Sequence, residues 1–134
     1  GQYGMVLPNF VQSALLGKPI SVYGEGSQSR SFTHVNDVVG AITKLMDEPL
    51  AVGDIFNVGN NKEVTINELA LKVKEMTDSD SEIEHIPYEK AYGPGFEDMQ
   101  RRCPSIKKIN KLIGFKPSYD LEAMIQSVID YFKA

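Results

Sequence analysis

The chain has one cysteine in 134 residues, carries no excess of positive charge and contains no long hydrophobic run. A lone thiol, Cys103, cannot build an internal disulfide framework; this fits a reducing compartment and makes the cytoplasm the expected location. Net charge is -4, so no global basic field exists to hold nucleic acid or an anionic membrane, and neither is expected as a partner. Any bound anion must be held by a few placed groups. No stretch approaches the roughly 20 apolar residues of a spanning helix, and the opening "GQYGMVLPNF" lacks the charged and apolar regions of a signal peptide. With no initiator methionine and ordered-looking sequence from Met5 onward, the chain reads as a fragment of a longer protein. Its two histidines, His34 and His85, stand far apart, and "DSDSE" (78–82) lacks the glycine of a calcium loop, so no metal is expected.

What is present is the pattern of an α/β protein. At 42% hydrophobic, the chain can bury a core as one folding unit. Phe10, Val11, Ala14 and Leu15 recur at helical spacing between Pro8 and Gly17, which predicts a first helix. "ISVY" (20–23) and "SFTHV" (31–35) predict strands, and Asp37 opens a helix whose apolar face is Val38, Ala41, Ile42, Leu45 and Met46. "DIFNVGN" (54–60) reads as another strand, Thr65 and Glu68 as a capping box, and "SEIEHIPY" (81–88) as a half-buried strand. The segment "EKAYGPGFEDMQRR" (89–102) reads as an irregular, functional loop. Ser105 and Asp120 are the expected caps of two final helices, the first closed by Gly114.

The stretch Gly24-Glu25-Gly26-Ser27-Gln28-Ser29 starts like a dinucleotide fingerprint, but its third glycine is replaced by Ser29 and a strand is expected to follow instead of a helix. It is therefore not a cofactor loop; its glycines are expected to turn the backbone and let a flat ligand group approach. Arg30 follows immediately, and the pair Arg101 and Arg102 lies in the later loop. Guanidinium forks suit diphosphates, so two separate segments can clamp one anion. His34 and His85 read as structural hydrogen-bonding residues, and Cys103 as a small half-buried one.

Three ordered blocks carry a resemblance: "LPNFVQSALLGKPISVYGEGSQSRSFTHVNDVVGAI", "IFNVGNNKEVTINELA" and "EDMQRRCPSIKKINKLIGFKPSYDLEAMIQSVIDYF". Together they resemble the carboxyl-terminal, substrate-binding half of NAD-dependent epimerase/dehydratase proteins of the extended short-chain dehydrogenase/reductase family. Among these are UDP-glucose 4-epimerase, UDP-glucuronate decarboxylase and dTDP-glucose dehydratase. The resemblance implies a small sheet with several packed helices, a single domain over 1–134 that binds a nucleotide diphosphate sugar, and a cofactor half, absent here, that holds NAD. By motif, Ser21 and Val22 would meet the nucleobase through backbone groups, with Tyr23 covering the ring. Arg30 would contact the phosphates, Gly4, Met5 and Val6 would line the sugar and nucleotide path, and Asp98 with Arg102 would close over ribose and diphosphate. Ser105 stands where the family usually has aspartate.

The family's Tyr-x-x-x-Lys pair is missing, since none of the six tyrosines is followed by lysine at that spacing. The chain alone is therefore expected neither to hold NAD tightly nor to catalyse, and to belong to a UDP-sugar epimerase, dehydratase or decarboxylase, an epimerase first. The alternatives are a free-standing nucleotide-sugar-binding module and a plain interaction domain. The resemblance also implies that the helix from Asp37 and the "IFNV" segment pack on the cofactor half. The chain by itself is thus expected to self-associate, and the whole protein to be a homodimer.

Overall fold

A computed structural model describes residues 5–92 and 98–134. In chain order it contains α1 (Val6–Leu15), β1 (Ile20–Tyr23), β2 (Ser29–Arg30), α2 (Val35–Met46), β3 (Val64–Thr65), α3 (Ile66–Met76), β4 (Ile83–Ile86), α4 (Tyr88–Tyr92), β5 (Arg101–Arg102), α5 (Lys107–Ile113) and α6 (Leu121–Lys133), with a 3-10 turn at Pro49–Ala51. Composition suggested one folding unit, but contacts group the chain into two: Gly1–Ser29, Val64–Arg101 and Ile125–Ala134 in the first, Arg30–Glu63 and Arg102–Met124 in the second. Each unit has its own apolar cluster, which is the physical reason for the division.

In the first unit, Leu7, Phe10, Val11 and Ala14 of α1 are buried at helical spacing. The helix carries Pro8 in its first turn, where a missing N–H costs nothing, and the chain leaves it through Gly17 at φ +64°. α1 packs on α3 and both pack on β1. Ile20 and Val22 of β1 and Leu69 and Val73 of α3 are fully buried. α3 begins with the predicted capping box: the Thr65 hydroxyl accepts from the Glu68 N–H, and the Glu68 carboxylate accepts from the Thr65 N–H at 2.8 Å. Those bonds, the Thr65 backbone bond foremost, hold the Glu68 carboxyl below the usual range. β4 pairs in parallel with β1, in the register Ile20 to Ile83 through Tyr23 to Ile86.

The second unit is centred on Ala41, Ile106, Ile109 and Phe115, with Leu45, Phe56, Val58 and Ile113 against them. α5 ends at Gly114 in the left-handed conformation, as expected. Its N-cap position is Ile106, which offers no side-chain bond, so Ser105 does not cap it. Asp120 does cap α6, accepting the Ala123 N–H at 2.8 Å.

The expected strands at 31–35 and 54–60 do not form; strand structure near the first is confined to Ser29–Arg30, in a three-stranded sheet ordered β3-β2-β5. The reason at 31–35 is that His34 is taken by α2. Its Nδ1 accepts the Asn36 N–H at 3.1 Å, so the helix starts two residues before Asp37. The His34 ring stacks on Tyr119 at 3.8 Å between centroids, and Asn36 donates to the Tyr119 hydroxyl at 3.1 Å.

Asp37, freed from capping, becomes a buried acceptor. It takes the N–H groups of Ser118 and Tyr119, at 3.1 and 3.2 Å, together with the Ser118 hydroxyl. Burial pushes its pKa up, but the Ser118 and Tyr119 bonds outweigh burial and leave it lowered. A depressed carboxyl stabilises the fold above its unfolded pKa of about 3.9, and that stabilisation is lost as pH falls through the folded value. Asp37→Asn is therefore expected to lose about 2 kcal/mol at pH 7, as for hydrogen bonds to a charged group, with the gap to wild type closing below about pH 4. Urea unfolding at both pH values checks this; a gap that persists in acid would rule out the ionised form as the source.

Candidate functional site

In the first unit, the ladder bonds Ile20 N–H to Glu82 O and Gly24 N–H to Ile86 O, both 2.8 Å, bracket Val22. Alternate residues of a strand direct their backbone groups to the same edge. Val22 therefore faces β4 with its backbone and the core with its side chain, while Ser21 and Tyr23 turn their backbone groups to the opposite edge. The Tyr23 carbonyl accepts from Gln28 Nε2 at 3.1 Å, and the Tyr23 ring is exposed. Met5 is exposed at the N-cap of α1 and Val6 half-buried in its first turn. Gly4 lies outside the described residues, as do 93–97 of the expected functional loop.

The turn after β1 places Gly24 and Gly26 at φ +71° and +72°. A Cβ on Gly24 would come within 2.8 Å of Tyr88 Cζ, and one on Gly26 would press into Asn67 and approach Val22 Cγ1 to 2.8 Å. The close approach that the glycines allow is thus used by side chains of the same chain, not kept for a flat ligand group. With Ser29 in place of the third glycine and no helix following, the turn does not fit a dinucleotide pyrophosphate. Asp98, half-buried, accepts from the Tyr88 hydroxyl at 3.2 Å, and Tyr88 in turn accepts from Gln28 Nε2 at 2.8 Å. Asn67 Nδ2 donates to the Glu25 carbonyl at 2.9 Å, so its Oδ1 takes the Nε2 hydrogen of His85, also at 2.9 Å. His85 is a structural donor, as its sequence context suggested.

In the second unit, Arg30 and Arg102 stand on neighbouring strands, β2 and β5, with Arg30 half-buried and Arg102 exposed. Pairing begins where the Ser29 N–H meets the Gln100 carbonyl at 2.8 Å. The two cationic segments that the sequence separates by about seventy residues are thereby adjacent. Among the described residues, no three His, Cys, Asp or Glu side chains gather as a metal-binding group, and no helix is long and apolar enough to cross a membrane. Cys103 is half-buried, its Sγ 3.6 Å from the Asn61 carbonyl.

The model of the GDP-mannose 4,6 dehydratase family matches residues 3–128. The chain belongs to that family. It is thus a member of the NAD-dependent epimerases and dehydratases of the extended short-chain dehydrogenase/reductase class, in agreement with the motif resemblance. It is 38% identical over 133 residues to UDP-N-acetyl-alpha-D-glucosaminuronate decarboxylase of Bacillus cytotoxicus, across 99% of this chain and 41% of that one. Its fold is similar to UDP-glucose 4-epimerase of Thermotoga maritima solved with UDP-glucose, with TM-score 0.86, 27% identity, and coverage of 99% of this chain and 41% of the other. It is also similar to dTDP-glucose 4,6-dehydratase of Bacillus anthracis in complex with NAD, with TM-score 0.82, 24% identity, and coverage of 96% and 39%. The chain thus spans about two-fifths of the length of these relatives, which are enzymes of nucleotide-sugar chemistry.

Sequence reasoning did not single out Gln28, Tyr88 or Asn67. Gln28 sits in a polar loop yet is only 6% exposed, and nothing in its neighbours announces that burial. Gly24 and Gly26 were the available signal, because a left-handed glycine often marks where another group comes close.

Proposed function

We propose that this chain is the nucleotide-sugar-binding portion of an NAD-dependent enzyme acting on a UDP-sugar. The carrying observation is the adjacency of β2 and β5, which sets Arg30 beside Arg102 in an acidic chain. Two planar forks on neighbouring strands match the paired oxygens of a diphosphate. In the first unit, Ser21 turns its backbone groups outward and Tyr23 presents an exposed ring, the chemistry that reads a pyrimidine edge and covers its face. Val22 supports that edge from the core, Asp98 accepts hydroxyl hydrogens, and Met5 and Val6 line the path to the sugar.

The identity to the Bacillus cytotoxicus enzyme, 38% against 27% for the epimerase, favours a UDP-uronic acid that loses carbon dioxide. Epimerisation of a UDP-sugar is the second reading, supported by the fold match to the UDP-glucose-bound enzyme. NAD, when bound, supplies a hydride acceptor; the residues for it belong to the longer relatives, and this chain binds and orients the substrate. The whole enzyme is proposed to work in the cytoplasm as a homodimer.

Calorimetric titration of the chain with UDP tests the assignment. Wild type is expected to bind, and Arg30→Ala to lose about 2 to 3 kcal/mol, as for a charge-assisted hydrogen bond. Arg30→Lys keeps the charge without the fork and should recover only part. Equal affinity for wild type and Arg30→Ala would remove Arg30 from the site.

A further inference from the structure

Gln28 is buried, and its amide carries two hydrogens. Both are spent: one goes to the Tyr23 carbonyl at 3.1 Å, the other to the Tyr88 hydroxyl at 2.8 Å. The Tyr88 oxygen therefore accepts from Gln28, and its single hydrogen is directed to Asp98 Oδ2 at 3.2 Å. The order Gln28 to Tyr88 to Asp98 is imposed by the count of hydrogens. The Tyr88 ring is held as well, because it lies against Gly24 so closely that a Cβ there would reach Cζ at 2.8 Å.

We propose that Gln28 and Tyr88 are positioning residues that hold the Asp98 carboxylate and the end of β1 in register for a UDP-sugar, an inference that rests on the function proposed above. The relay joins two residues assigned to the ligand, Tyr23 and Asp98, through two that are not. A carboxylate has lone pairs for about four hydrogen bonds, so Asp98 can stay tethered to Tyr88 and still accept a hydroxyl of the ligand. Without the tether the carboxylate loses one of the bonds that fix its rotamer, and binding must supply more of that order. The burial of Gln28 strengthens the relay, since a hydrogen bond out of water is electrostatically stronger.

Tyr88→Phe keeps the ring against Gly24 and removes only the hydroxyl. With UDP as the probe, it is expected to bind about tenfold more weakly than wild type, with a thermal midpoint near that of wild type. A double-mutant cycle gives the readout that a merely structural role would not move. If Tyr88 acts through Asp98, the pair Tyr88→Phe and Asp98→Ala binds no more weakly than Asp98→Ala alone. Gln28→Glu, which cannot donate to Tyr88, is expected to show the same lack of additivity. Wild-type affinity in Tyr88→Phe, or penalties that multiply, would overturn the relay while leaving the proposed function standing. A wild-type chain that does not bind UDP would overturn both.

Discussion

Gly26→Ala is expected to lower the stability of the chain by about 2 to 4 kcal/mol, from about 1 kcal/mol for a side chain in the left-handed region and 1 to 3 for overpacking. Gly26 has φ +72°, and the added Cβ would sit 2.5 Å from Asn67 Cγ and 2.8 Å from Val22 Cγ1. Neither neighbour can give way cheaply. Val22 is fully buried, and Asn67 straps the turn to the start of α3: its N–H donates to the Gly26 carbonyl at 3.0 Å, its amide to Glu25 and its oxygen to His85. Gly17→Ala is the control, since Gly17 also has positive φ, +64°, but has open space around its Cβ position. That variant should lose only about 1 kcal/mol, the backbone part alone. Urea unfolding of both variants decides the matter; equal losses would mean that Asn67 moves freely and that the turn is not tightly strapped.

Ile42→Glu is expected to abolish self-association of the chain, weakening it on the order of a hundredfold, or about 3 kcal/mol for a charge left unpaired in an interface. Val35, Val39, Ile42 and Met46 recur along α2 at helical spacing, and all four are exposed, Ile42 by 50% and Met46 by 81%. Leu50, Val52 and Ile55 follow in the same unit, with Ile55 exposed by 83%. Apolar side chains aligned on one exposed helix face form a surface that gains by being covered, since each Å² removed from water stabilises by roughly 25 cal/mol. A second copy is the occupant we expect when the chain is alone. The 54–58 segment supports this, because it has the residues of a strand yet joins no ladder among the described residues. It is held instead by Lys108, which bonds Asp54, donates to the Ile55 carbonyl at 2.9 Å and lies 4.8 Å from the Phe56 ring centre. Sedimentation over a concentration series should show a dimer for wild type and a monomer for Ile42→Glu. A wild-type chain that stays monomeric at high concentration would refute the stripe as a contact surface.

The helices were legible because their signals are local. The apolar spacing of α1 and α3, the Thr65 and Glu68 capping box, the Gly114 stop and the Asp120 cap each depend on residues within about two turns, and all appear in the structure. Strands were legible only where a partner exists within the chain. "ISVY" pairs with "IEHI", whereas "IFNV" has the right residues but no strand beside it among the described residues, and its Ile55 groups bond side chains instead, the N–H to Asp54 and the carbonyl to Lys108. His34 and Asp37 show the same limit at one position each. The sequence reads His34 as a strand residue and Asp37 as a cap, but contacts with Tyr119 and Ser118, more than eighty residues away, assign His34 to the cap and bury Asp37.

By itself, the sequence determined the α/β class, the absence of a disulfide framework, the family through three ordered motif blocks, and the lack of a cofactor loop and Tyr-x-x-x-Lys pair. These follow from composition, short-range spacing and residue order, which need no folding to read. Only the tertiary structure decided that Arg30 and Arg102 stand on adjacent strands, that Val22 faces β4 while Ser21 and Tyr23 face away, and that Gln28 and Tyr88 tie Asp98 to the end of β1. Each of these joins segments far apart in the chain, and such contacts are chosen by burial and by the pairing of polar groups in the folded state, not by any local preference of the residues involved.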